Sequence, residues 1–566
     1  MKQTNNENAA NRISYVGNNY SIGEKTIKNE TLDNLPKEWK ELHQSGMIHI
    51  HDLDAYGQTY NCLTFDLRNF PYEEYKGLSN TQAIIHLFQY FEIVIEELGN
   101  EQSGGMAFAN FDNDIAEILL KVTKDLNETD MQVLDATIRE FIIWCNDNHT
   151  RMGITSYYVT LNIGLANTEL ARRIDEMLLS NFESLGDMVY KPNIVFKVKQ
   201  GISRFPNDKN FDLLKKSLLL TAKKMIPTYL LCDCEEDINA DPYRLSIMGC
   251  RTRVVDDIYG FKGAIGRGNI DNISINLPRI ALQIDNEYRN STIEEKIATF
   301  KKRWCDVAEI VKDILIDRYE KLINQDKSNF PVNIQRNMWC ENFSNANNLE
   351  EIFKHGTLSI GFIGLSEAME VLTGNKYYSC PENYIIAYGI VKNMRDYCDF
   401  LRREYKLNFS LLATSGELIS GRFTELDKKE FSPLVDIFSK GFYTNSFHVE
   451  VNSKLPAYKK LQIEGMFHTL CNGGSISYIE LNEAPLGNFE GLDELVEVAV
   501  KAGVHYLGFN FPKDICNDCH TSGVFDECPH CHGKDITRIR RVSGYLEILD
   551  GFTNGKKNEV KNREGN

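Results

Sequence analysis

Residues 516–546 read CNDCHTSGVFDECPHCHGKDITRIRRVSGYL, and this stretch decides how the end of the chain folds. It contains two Cys-x-x-Cys pairs and then a single glycine, Gly544. The four cysteines are Cys516, Cys519, Cys528 and Cys531. The surrounding residues 513–540 are rich in Cys, His, Asp and Gly and poor in large apolar side chains. Because such a segment cannot build a hydrophobic core of its own, it needs a cross-link or a bound metal to fold.

The spacing of the cysteine pairs predicts a structural zinc site. Four thiolates in the pattern C-x2-C, x8, C-x2-C suit tetrahedral zinc, since each pair closes a tight turn around the ion. A rubredoxin-like iron site also uses four thiolates, so iron stays open as an alternative, whereas two pairs this close together argue against a redox dithiol. Three histidines are further candidate ligands, although four sulfurs already complete a closed site. They are His520, His530 and His532.

The overall charge limits the partners that this protein can have. The chain has 566 residues and a net charge of −17, whereas proteins that bind nucleic acids or membrane surfaces carry basic footprints. A local basic pocket for phosphates remains compatible with this charge. A zinc ribbon that binds nucleic acid is the rival interpretation, and a small basic cluster of Arg538, Arg540 and Arg541 fits it. The acidic balance weakens that interpretation, so we expect neither nucleic acid nor a membrane as partner.

The N-terminus and the cysteine usage indicate a cellular compartment. The first residues, MKQTNNENAANR, contain no apolar stretch of the secretory type, and no run reaches the ~18 apolar residues that a membrane span needs. The chain has 14 cysteines, and disulfide frameworks belong to short secreted proteins. We therefore predict reduced thiols, metal ligands or reactive groups in a cytoplasmic protein.

Composition divides the chain into three regions. Residues 1–30 form a polar N-terminal segment that we expect to be loosely held, and residues 31–512 form a continuous catalytic body. Residues 513–566 carry the metal pattern and the glycine.

Local patterns within the catalytic body predict helices that alternate with strands. Ser79 and Gln82 form a capping-box pattern, and the apolar residues after them recur at a helical period, which predicts a helix over 80–98 that ends at Gly99. Residues 293–324 also have a helical pattern. Strand-like runs occupy residues 157–161, 193–198 and 475–479. This alternation favours an α/β fold.

Eight separate motifs, in order from about residue 45 to the end, resemble one family. They are HIHDLDAYGQTYNCL (49–63), NEQSGG (100–105), MGCRTR (248–253), GRGN (266–269), SINLPRIAL (274–282), YTNSFHV (443–449), GGSISYIEL (473–481) and RVSGYL (541–546). Together they resemble the anaerobic, class III ribonucleotide reductases, which are glycyl radical enzymes. The resemblance implies a ten-stranded α/β barrel with a small zinc-binding C-terminal domain, and anaerobic reduction of ribonucleoside triphosphates to deoxyribonucleotides.

The resemblance also implies roles for the glycine and two cysteines. Gly544 would store a radical, which suits glycine because a centre without Cβ can flatten and delocalise into the flanking amides. Cys250 would become the transient thiyl that takes the 3′-hydrogen of the ribose, after which the 2′-hydroxyl leaves as water. Cys62 would supply a hydrogen to the 2′ position from the other side of the sugar. Asn269 matches a residue that hydrogen-bonds near the substrate hydroxyls, in the subgroup that uses formate as reductant.

Two polar loops are candidates for binding the substrate phosphates. Backbone amides and hydroxyls at a helix start suit phosphate, and the loop around Ser415 and Gly416 resembles such a site. Thr444, Asn445 and Ser446 are expected to add further donors, although taken alone both loops are better explained by ordinary turn and cap chemistry. For His51 in the first motif, a direct role at the substrate and a structural role as a hydrogen-bonded histidine both stay open.

The resemblance implies several partners. They are a radical S-adenosylmethionine activating enzyme with an iron–sulfur cluster, a second copy of the chain in a homodimer, and nucleotide effectors that act near the helix over 80–98. The chain starts almost at the catalytic body, so we expect no ATP-cone and no on/off control through one. Ser543 stands where many members have a cysteine before the glycine.

Another glycyl radical enzyme, such as a relative of formate-lyases, is the alternative within enzymes. Those enzymes lack the four-cysteine knuckle, and the pyruvate-cleaving kind has adjacent cysteines that do not occur here. The family resemblance therefore suggests that the knuckle acts as a clamp that positions Gly544.

Overall fold

Capping residues and apolar periodicity determine where many helices begin and end. The computed structural model describes residues 14–148, 157–234, 239–254, 256–431 and 436–566. The helices are α1 (Tyr15–Asn34), α2 (Lys37–Ser45), α3 (Asn80–Leu98), α4 (Phe111–Val122), α5 (Glu128–Asp147), α6 (Glu169–Ser184), α7 (Phe211–Lys224), α8 (Leu277–Glu287), α9 (Ile293–Ile323), α10 (Pro331–Arg336), α11 (Glu350–Phe353), α12 (Leu365–Thr373), α13 (Pro381–Tyr405), α14 (Ile419–Phe431), α15 (Ala457–His468), α16 (Phe489–Ala502) and α17 (Asn554–Asn562). None of the helices in the described ranges is long and apolar enough to cross a lipid bilayer.

The strands are short and lie mostly between these helices. They are β1 (Ile48–Ile50), β2 (Leu63–Thr64), β3 (Met106–Phe108), β4 (Val159–Ile163), β5 (Asn193–Val198), β6 (Thr228–Leu231), β7 (Asn269–Asn276), β8 (Thr357–Ile363), β9 (Asn408–Ala413), β10 (Ser477–Glu480), β11 (Tyr506–Asn510), β12 (Lys513–Cys516), β13 (Ser522–Gly523), β14 (Ile536–Arg541) and β15 (Leu546–Ile548).

The helices predicted from local patterns are present. Helix α3 covers the predicted span, and Ser79 and Gln82 form both hydrogen bonds of the capping box. Helix α9 ends one residue before the predicted boundary, at Ile323. Strand β5 matches its predicted run, while β4 and β10 begin two residues later than theirs, at Val159 and Ser477.

The N-terminal region differs from the expectation. From Tyr15 onward it is helical rather than loosely held, and the predicted boundary at residue 30 falls inside α1. The hydroxyl of Ser14 caps this helix by accepting from the Gly17 amide, and Lys28 joins it to the body through an ion pair with Asp54 at 3.4 Å. Polar composition therefore concealed a helix that is held by capping and charge. The first thirteen residues lie outside the described ranges.

Ten strands, β2 to β11, form a barrel of two halves. Strands β2 to β6 run parallel to one another, as do β7 to β9 and the pair β10 and β11, while the short β1 pairs antiparallel with β7. The halves meet antiparallel where β6 pairs with β11. On the opposite side, the amides of Cys62 and Thr64 donate to the carbonyls of Asn269 and Arg267. A bridge between Leu412 and Gly474 links β9 to the segment before β10. These bonds confirm the expected ten-stranded α/β barrel.

Side-chain alternation on β7 to β9 separates an apolar outer face from a polar inner face. Ile273 and Ile360 pack in the main hydrophobic core, where α9 contacts both strands. On the other face, Asn269 donates to the hydroxyls of Thr357 and Ser359, at 3.0 and 3.1 Å. Parallel strands are usually apolar on both faces, so this polar lining marks the barrel interior as a site for chemistry.

The C-terminal region forms a separate antiparallel sheet in the order β13-β12-β14-β15. Strand β12 begins at Lys513, whose Nζ lies 2.6 Å from Asp187 of the barrel body. The turn between β14 and β15 carries Gly544.

Candidate active site

The turn that carries Gly544 contacts the loop that carries Cys250. A Cβ added at Gly544 would lie 1.9 Å from the carbonyl oxygen of Cys250 and 2.4 Å from its Cα. Since no side chain tolerates such distances, only glycine allows the two backbones to approach this closely. The Cys250 loop is a narrow hairpin in which Met248 and Thr252 pair, and the cysteine itself is partly exposed. The structure therefore brings together the two residues that the sequence assigned to radical storage and relay.

Two buried arginines hold the glycine turn in the barrel. Arg541 donates from Nη1 to the Gly544 carbonyl at 3.1 Å, and its Nη2 donates to the Met225 carbonyl. Arg251 donates to the Ser543 hydroxyl at 2.5 Å and to the Ala413 carbonyl at 3.1 Å. Ser543 thus has a role of its own, because its hydroxyl ties the glycine turn to the residue that follows Cys250.

Cys62 lies on the other side of the Cys250 loop. Its Sγ accepts from the Gly105 amide at 3.4 Å. A Cβ added at Gly105 would lie 3.3 Å from the Cα of Gly249, the neighbour of Cys250. Gly105 therefore lies between the two cysteine loops. A Cβ added at Gly104 would lie 2.8 Å from the Cys62 sulfur, so this glycine also allows a close approach.

Asn269 lies beside Cys62 at the start of β7. Its carbonyl accepts from the amides of Asn61 and Cys62, at 3.0 and 3.1 Å. Its side-chain amide points into the barrel, where it contacts Thr357 and Ser359. The predicted catalytic residues thus form one constellation inside the barrel, made of Gly544, Cys250, Cys62 and Asn269.

The two predicted phosphate loops meet near the N-termini of α12 and α14. Gly416 has a positive φ of +63°, and a Cβ there would lie 2.2 Å from Asn445 Oδ1. The amides of Gly364 and Leu365 donate to the carbonyls of Thr444 and Ser446 at 3.0 Å, so this loop lies across the start of α12. The N-terminus of a helix carries positive partial charge and favours anions.

One polar atom at the junction of these loops has no hydrogen-bond partner. The Ser446 hydroxyl is buried, and within the part of the chain that the structure describes nothing accepts from it or donates to it. Leaving a buried hydroxyl unpaired is costly, so this atom suits a ligand that pairs with it. Ser415 lies in the same junction, on the loop that precedes α14.

His51 is neutral and hydrogen-bonded. Its Nε2 lies 2.9 Å from the Ser274 hydroxyl, which lies 2.9 Å from the hydroxyl of Thr414, the residue before Ser415. Burial, with the nearby charges of Arg318 and Arg422, lowers the pKa of His51 to about 3. An uncharged imidazole has no positive charge to attract a phosphate. The hydrogen bonds therefore favour a role in which His51 positions Thr414 through Ser274, rather than direct phosphate binding by His51.

Several charged residues at the site were missed from the sequence. Arg251, Arg541 and Lys556 are buried, and Lys556 contacts the side chain of Asn445. Glu417 accepts from the Tyr545 hydroxyl at 3.3 Å, next to the glycine turn. Charged residues are usually exposed unless paired, and nothing local in the sequence distinguishes those that the fold buries. Only their place in the sequence pointed to two of these residues, because Arg251 and Arg541 lie inside the motifs MGCRTR and RVSGYL.

The four predicted metal ligands converge. The four sulfur atoms all lie within 4.8 Å of one another. The sulfur of Cys516 is 3.4 Å from that of Cys531, and the sulfur of Cys519 is 3.5 Å from that of Cys528. Zinc–sulfur bonds of about 2.3 Å in a tetrahedron require sulfurs roughly 3.8 Å apart, so the cluster fits such an ion.

The knuckle is built from two equivalent turns. The amides of His520 and His532 donate to the carbonyls of Cys516 and Cys528, each at 2.9 Å. Both histidines have φ near +60°, which each turn needs after its second cysteine. They therefore serve as turn residues, and His530 is exposed outside the sulfur cluster.

Over most of its length this chain is similar to one family of known proteins. A family model described as anaerobic ribonucleoside-triphosphate reductase matches residues 6–565. The enzyme of that name from Escherichia coli K12 is 29% identical over 577 residues, covering 94% of this chain and 78% of the relative. The one from Enterobacteria phage T4 is 27% identical over 577 residues, covering 94% and 91%.

Solved structures share the fold. One called anaerobic ribonucleotide reductase superposes with a TM-score of 0.72 at 16% identity, covering 97% of this chain and 88% of its own. The Thermotoga maritima anaerobic ribonucleotide reductase in complex with dATP and CTP gives a TM-score of 0.67 at 16% identity, covering 96% and 90%. With a family model that spans nearly the whole sequence, this chain belongs to the anaerobic ribonucleoside-triphosphate reductase family.

Proposed function

We propose that this protein reduces ribonucleoside triphosphates to 2′-deoxyribonucleoside triphosphates by glycyl and thiyl radical chemistry. The observation that carries the proposal is the backbone contact between Gly544 and Cys250, which a side chain at position 544 would prevent. Radical handover needs near contact, and small misplacements are costly in such steps. The curated relatives from E. coli and phage T4 have names that give the same substrate class.

The reaction begins with transfer of a hydrogen atom from Cys250 Sγ to the radical Cα of Gly544. The resulting thiyl takes the 3′-hydrogen of the ribose, and the 2′-hydroxyl leaves with a proton as water. Cys62 then gives a hydrogen atom to the 2′ carbon, which leaves a Cys62 thiyl and a 3′-ketone. Formate returns a hydrogen atom to Cys62, and its remaining electron, with a proton, reduces the ketone while carbon dioxide leaves. Cys250 finally returns the 3′-hydrogen and becomes the thiyl again, so that formate and one proton are consumed for each water and carbon dioxide released. The polar inner face with Asn269 supports sugar hydroxyls in this position.

The phosphates of the substrate occupy the junction of the two predicted loops. Ser415 and Gly416 lie on the loop that leads into α14, while Thr444, Asn445 and Ser446 lie across the start of α12. The unpaired hydroxyl of Ser446 supports an anionic ligand here.

The four-cysteine cluster holds zinc, which acts structurally. When bound, the ion cross-links the two turns. Because β12 pairs with β14, and β14 leads into the glycine turn, the cross-link also restricts the position of Gly544. Strand β14 leads directly from the knuckle sheet to Gly544, which supports the clamp interpretation.

A homodimer with nucleotide effectors at its interface is supported by helix α3. Ile85 and Ile93 are about two turns apart on this helix and are 40% and 47% exposed, although other residues of α3 are buried. An exposed apolar stripe on a helix suits a partner helix. An activating enzyme with an iron–sulfur cluster and S-adenosylmethionine installs the radical, and Gly544 must leave the barrel to reach it.

Electron paramagnetic resonance tests the function. After anaerobic incubation with the activating enzyme, we expect a doublet in the wild type and in Cys250→Ser, and none in Gly544→Ala. The wild type should convert CTP to dCTP with formate, whereas Cys250→Ser should keep the radical and lose turnover. Nucleotide reduction by Cys250→Ser, or a doublet that persists in Gly544→Ala, would contradict the proposal.

A further inference from the structure

A buried lysine beyond the glycine turn reaches back to the proposed phosphate site. Lys556 lies in the first turn of α17, and it is 1% exposed. With the Asn445 amide oriented to satisfy both of its neighbours, its oxygen accepts from Lys556 Nζ at 3.2 Å and its nitrogen donates to the Ser415 carbonyl at 2.9 Å. One side chain therefore connects the C-terminal helix to both phosphate loops.

A buried ion pair holds Lys556 beside the phosphate loops. Glu559 accepts from Lys556 at 2.6 Å and from Arg563 at 2.8 Å. Lys556 and Glu559 are both buried, and the carboxylates of Glu417 and Glu480 interact with Lys556 and Arg563 respectively. These charges fix the Lys556 side chain in position, where its Nζ also contacts Asn445.

The backbone at the start of α17 favours anions. A Cβ added at Gly555 would lie 2.6 Å from the Cα of Gly421, so the first turns of α17 and α14 are in direct contact. The Thr553 hydroxyl, which caps α17, donates to the Glu417 carbonyl at 3.2 Å. Two helix N-termini therefore meet at the loop of Ser415 and Gly416, and both favour negative charge.

We propose that Lys556 completes the binding site for the substrate phosphates, so that nucleotide binding and docking of the glycine turn are coupled. The inference rests on the proposed function and names a substrate-binding residue that lies on the moving segment. Lys556 follows Gly544 on the C-terminal segment, so a turn that leaves the barrel for activation takes the lysine out of the site. Bound phosphates in turn hold the segment in place and keep Gly544 against Cys250.

The coupling works equally in both directions. The factor by which a docked C-terminal segment strengthens nucleotide binding equals the factor by which the nucleotide strengthens docking. The thiyl on Cys250 would then form chiefly when a substrate is present to receive it.

CTP binding to the unactivated protein tests the proposal, with three variants measured by anaerobic equilibrium dialysis. Removing a charge-assisted hydrogen bond from a buried site weakens binding by about 10- to 100-fold, which is the loss expected for Lys556→Gln. Lys561→Gln is the matched control, because this lysine is exposed on the same helix. Lys556→Arg keeps the charge and should recover most of the affinity.

Limited proteolysis of the C-terminal segment gives the second readout. CTP should protect the wild type and Lys561→Gln from cleavage near residues 541–553, and it should not protect Lys556→Gln. Unchanged CTP affinity in Lys556→Gln, or equal protection of its segment, overturns the inference. If Lys556→Gln does not fold, absence of protection by CTP in the wild type overturns it instead.

The outcome for the wild type separates the two proposals. A wild type that carries the radical and reduces CTP, together with a Lys556→Gln variant that binds CTP normally, rejects only the role of Lys556. A wild type that carries the radical and does not reduce CTP rejects the proposed function itself.

Discussion

Single glycines determine how closely the two cysteine loops approach. Gly544 was recognisable from its motif, but the reason for glycine there is a contact with Cys250, which lies almost three hundred residues earlier in the chain. The same holds for Gly104 and Gly105, whose neighbours are Cys62 and Gly249. Motifs can therefore identify such residues, while the packing that requires them depends on the complete fold.

Gly104→Ala tests whether the position of the Cys62 sulfur limits turnover. The new methyl group would lie 2.8 Å from Cys62 Sγ and from the Asn61 carbonyl oxygen, so the sulfur must move. We expect the glycyl radical to form normally and dCTP formation to fall at least about tenfold, since misplaced reacting groups are costly. Overpacking should lower the free energy of unfolding by about 1–3 kcal/mol.

Gly186→Ala is the control for this prediction, because a Cβ there meets nothing within 4 Å. Radical yield by electron paramagnetic resonance and dCTP formation by chromatography are measured on both variants. Normal turnover in Gly104→Ala would show that the sulfur position is not limiting.

At the scale of elements, local patterns and non-local contacts were predictable to different degrees. Helix α3 follows from its own capping box and apolar period, and the knuckle follows from cysteine spacing alone. Helix α1 was missed because its sequence is mostly polar, and it is held by the Ser14 cap and an ion pair with Asp54. The C-terminal helix α17 gave no signal that Lys556 would be buried, since burial there depends on contact with α14.

Loss of the metal should release the glycine turn while the barrel stays folded. The segment has few apolar side chains to hold β12 and β14 together, so the thiolates provide most of its cohesion. We expect Cys528→Ser to bind less than one zinc per chain and to give little glycyl radical. Metal analysis measures the zinc content, electron paramagnetic resonance the radical yield, and circular dichroism whether the barrel stays folded.

His530→Ala is the matched control for the knuckle, because His530 is exposed and lies outside the sulfur cluster. It should keep both metal and radical. A full radical yield in metal-free Cys528→Ser would mean that the knuckle does not position Gly544.

At the scale of the whole molecule, the barrel closes through contacts that no local pattern specifies. Apolar runs predicted where several strands lie in the sequence, but not the order of the strands in the barrel. The order depends on pairs that are far apart in the sequence, such as β6 with β11 and β2 with β7. The family resemblance supplied the number of strands. Contacts between distant residues also tie helices to the strands, as at His468 of α15, which contacts Ser477 of β10 and the amide of His505 before β11.

His468 is held neutral by its hydrogen bonds and its burial. Its Nδ1 accepts from the His505 amide at 3.2 Å, and its Nε2 lies 2.9 Å from the Ser477 hydroxyl of β10. Burial and the nearby charges of Arg251 and Arg253 lower its pKa to about 3. A proton on Nδ1 would break the bond to the His505 amide, which ties α15 to the start of β11.

This histidine should make part of the stability depend on pH. In the unfolded chain its pKa is about 6.5, so between about pH 6.5 and pH 3 the unfolded state binds a proton that the folded state does not. Its contribution is therefore complete above about pH 6.5 and is lost as the pH falls. One unit below the unfolded pKa, near pH 5.5, the loss is about 1.4 kcal/mol.

His468→Gln removes this titration, so comparison with the wild type isolates it. Urea unfolding near pH 8 and near pH 5.5 should show the variant less stable at the higher pH and the difference smaller by about 1.4 kcal/mol at the lower pH. His86→Gln is the control, because the His86 side chain is 42% exposed and lies on α3, away from β10 and β11. A stability difference between wild type and His468→Gln that is the same at both pH values would mean that His468 is protonated in the folded barrel, and that its hydrogen bond to the His505 amide does not hold α15 to the start of β11.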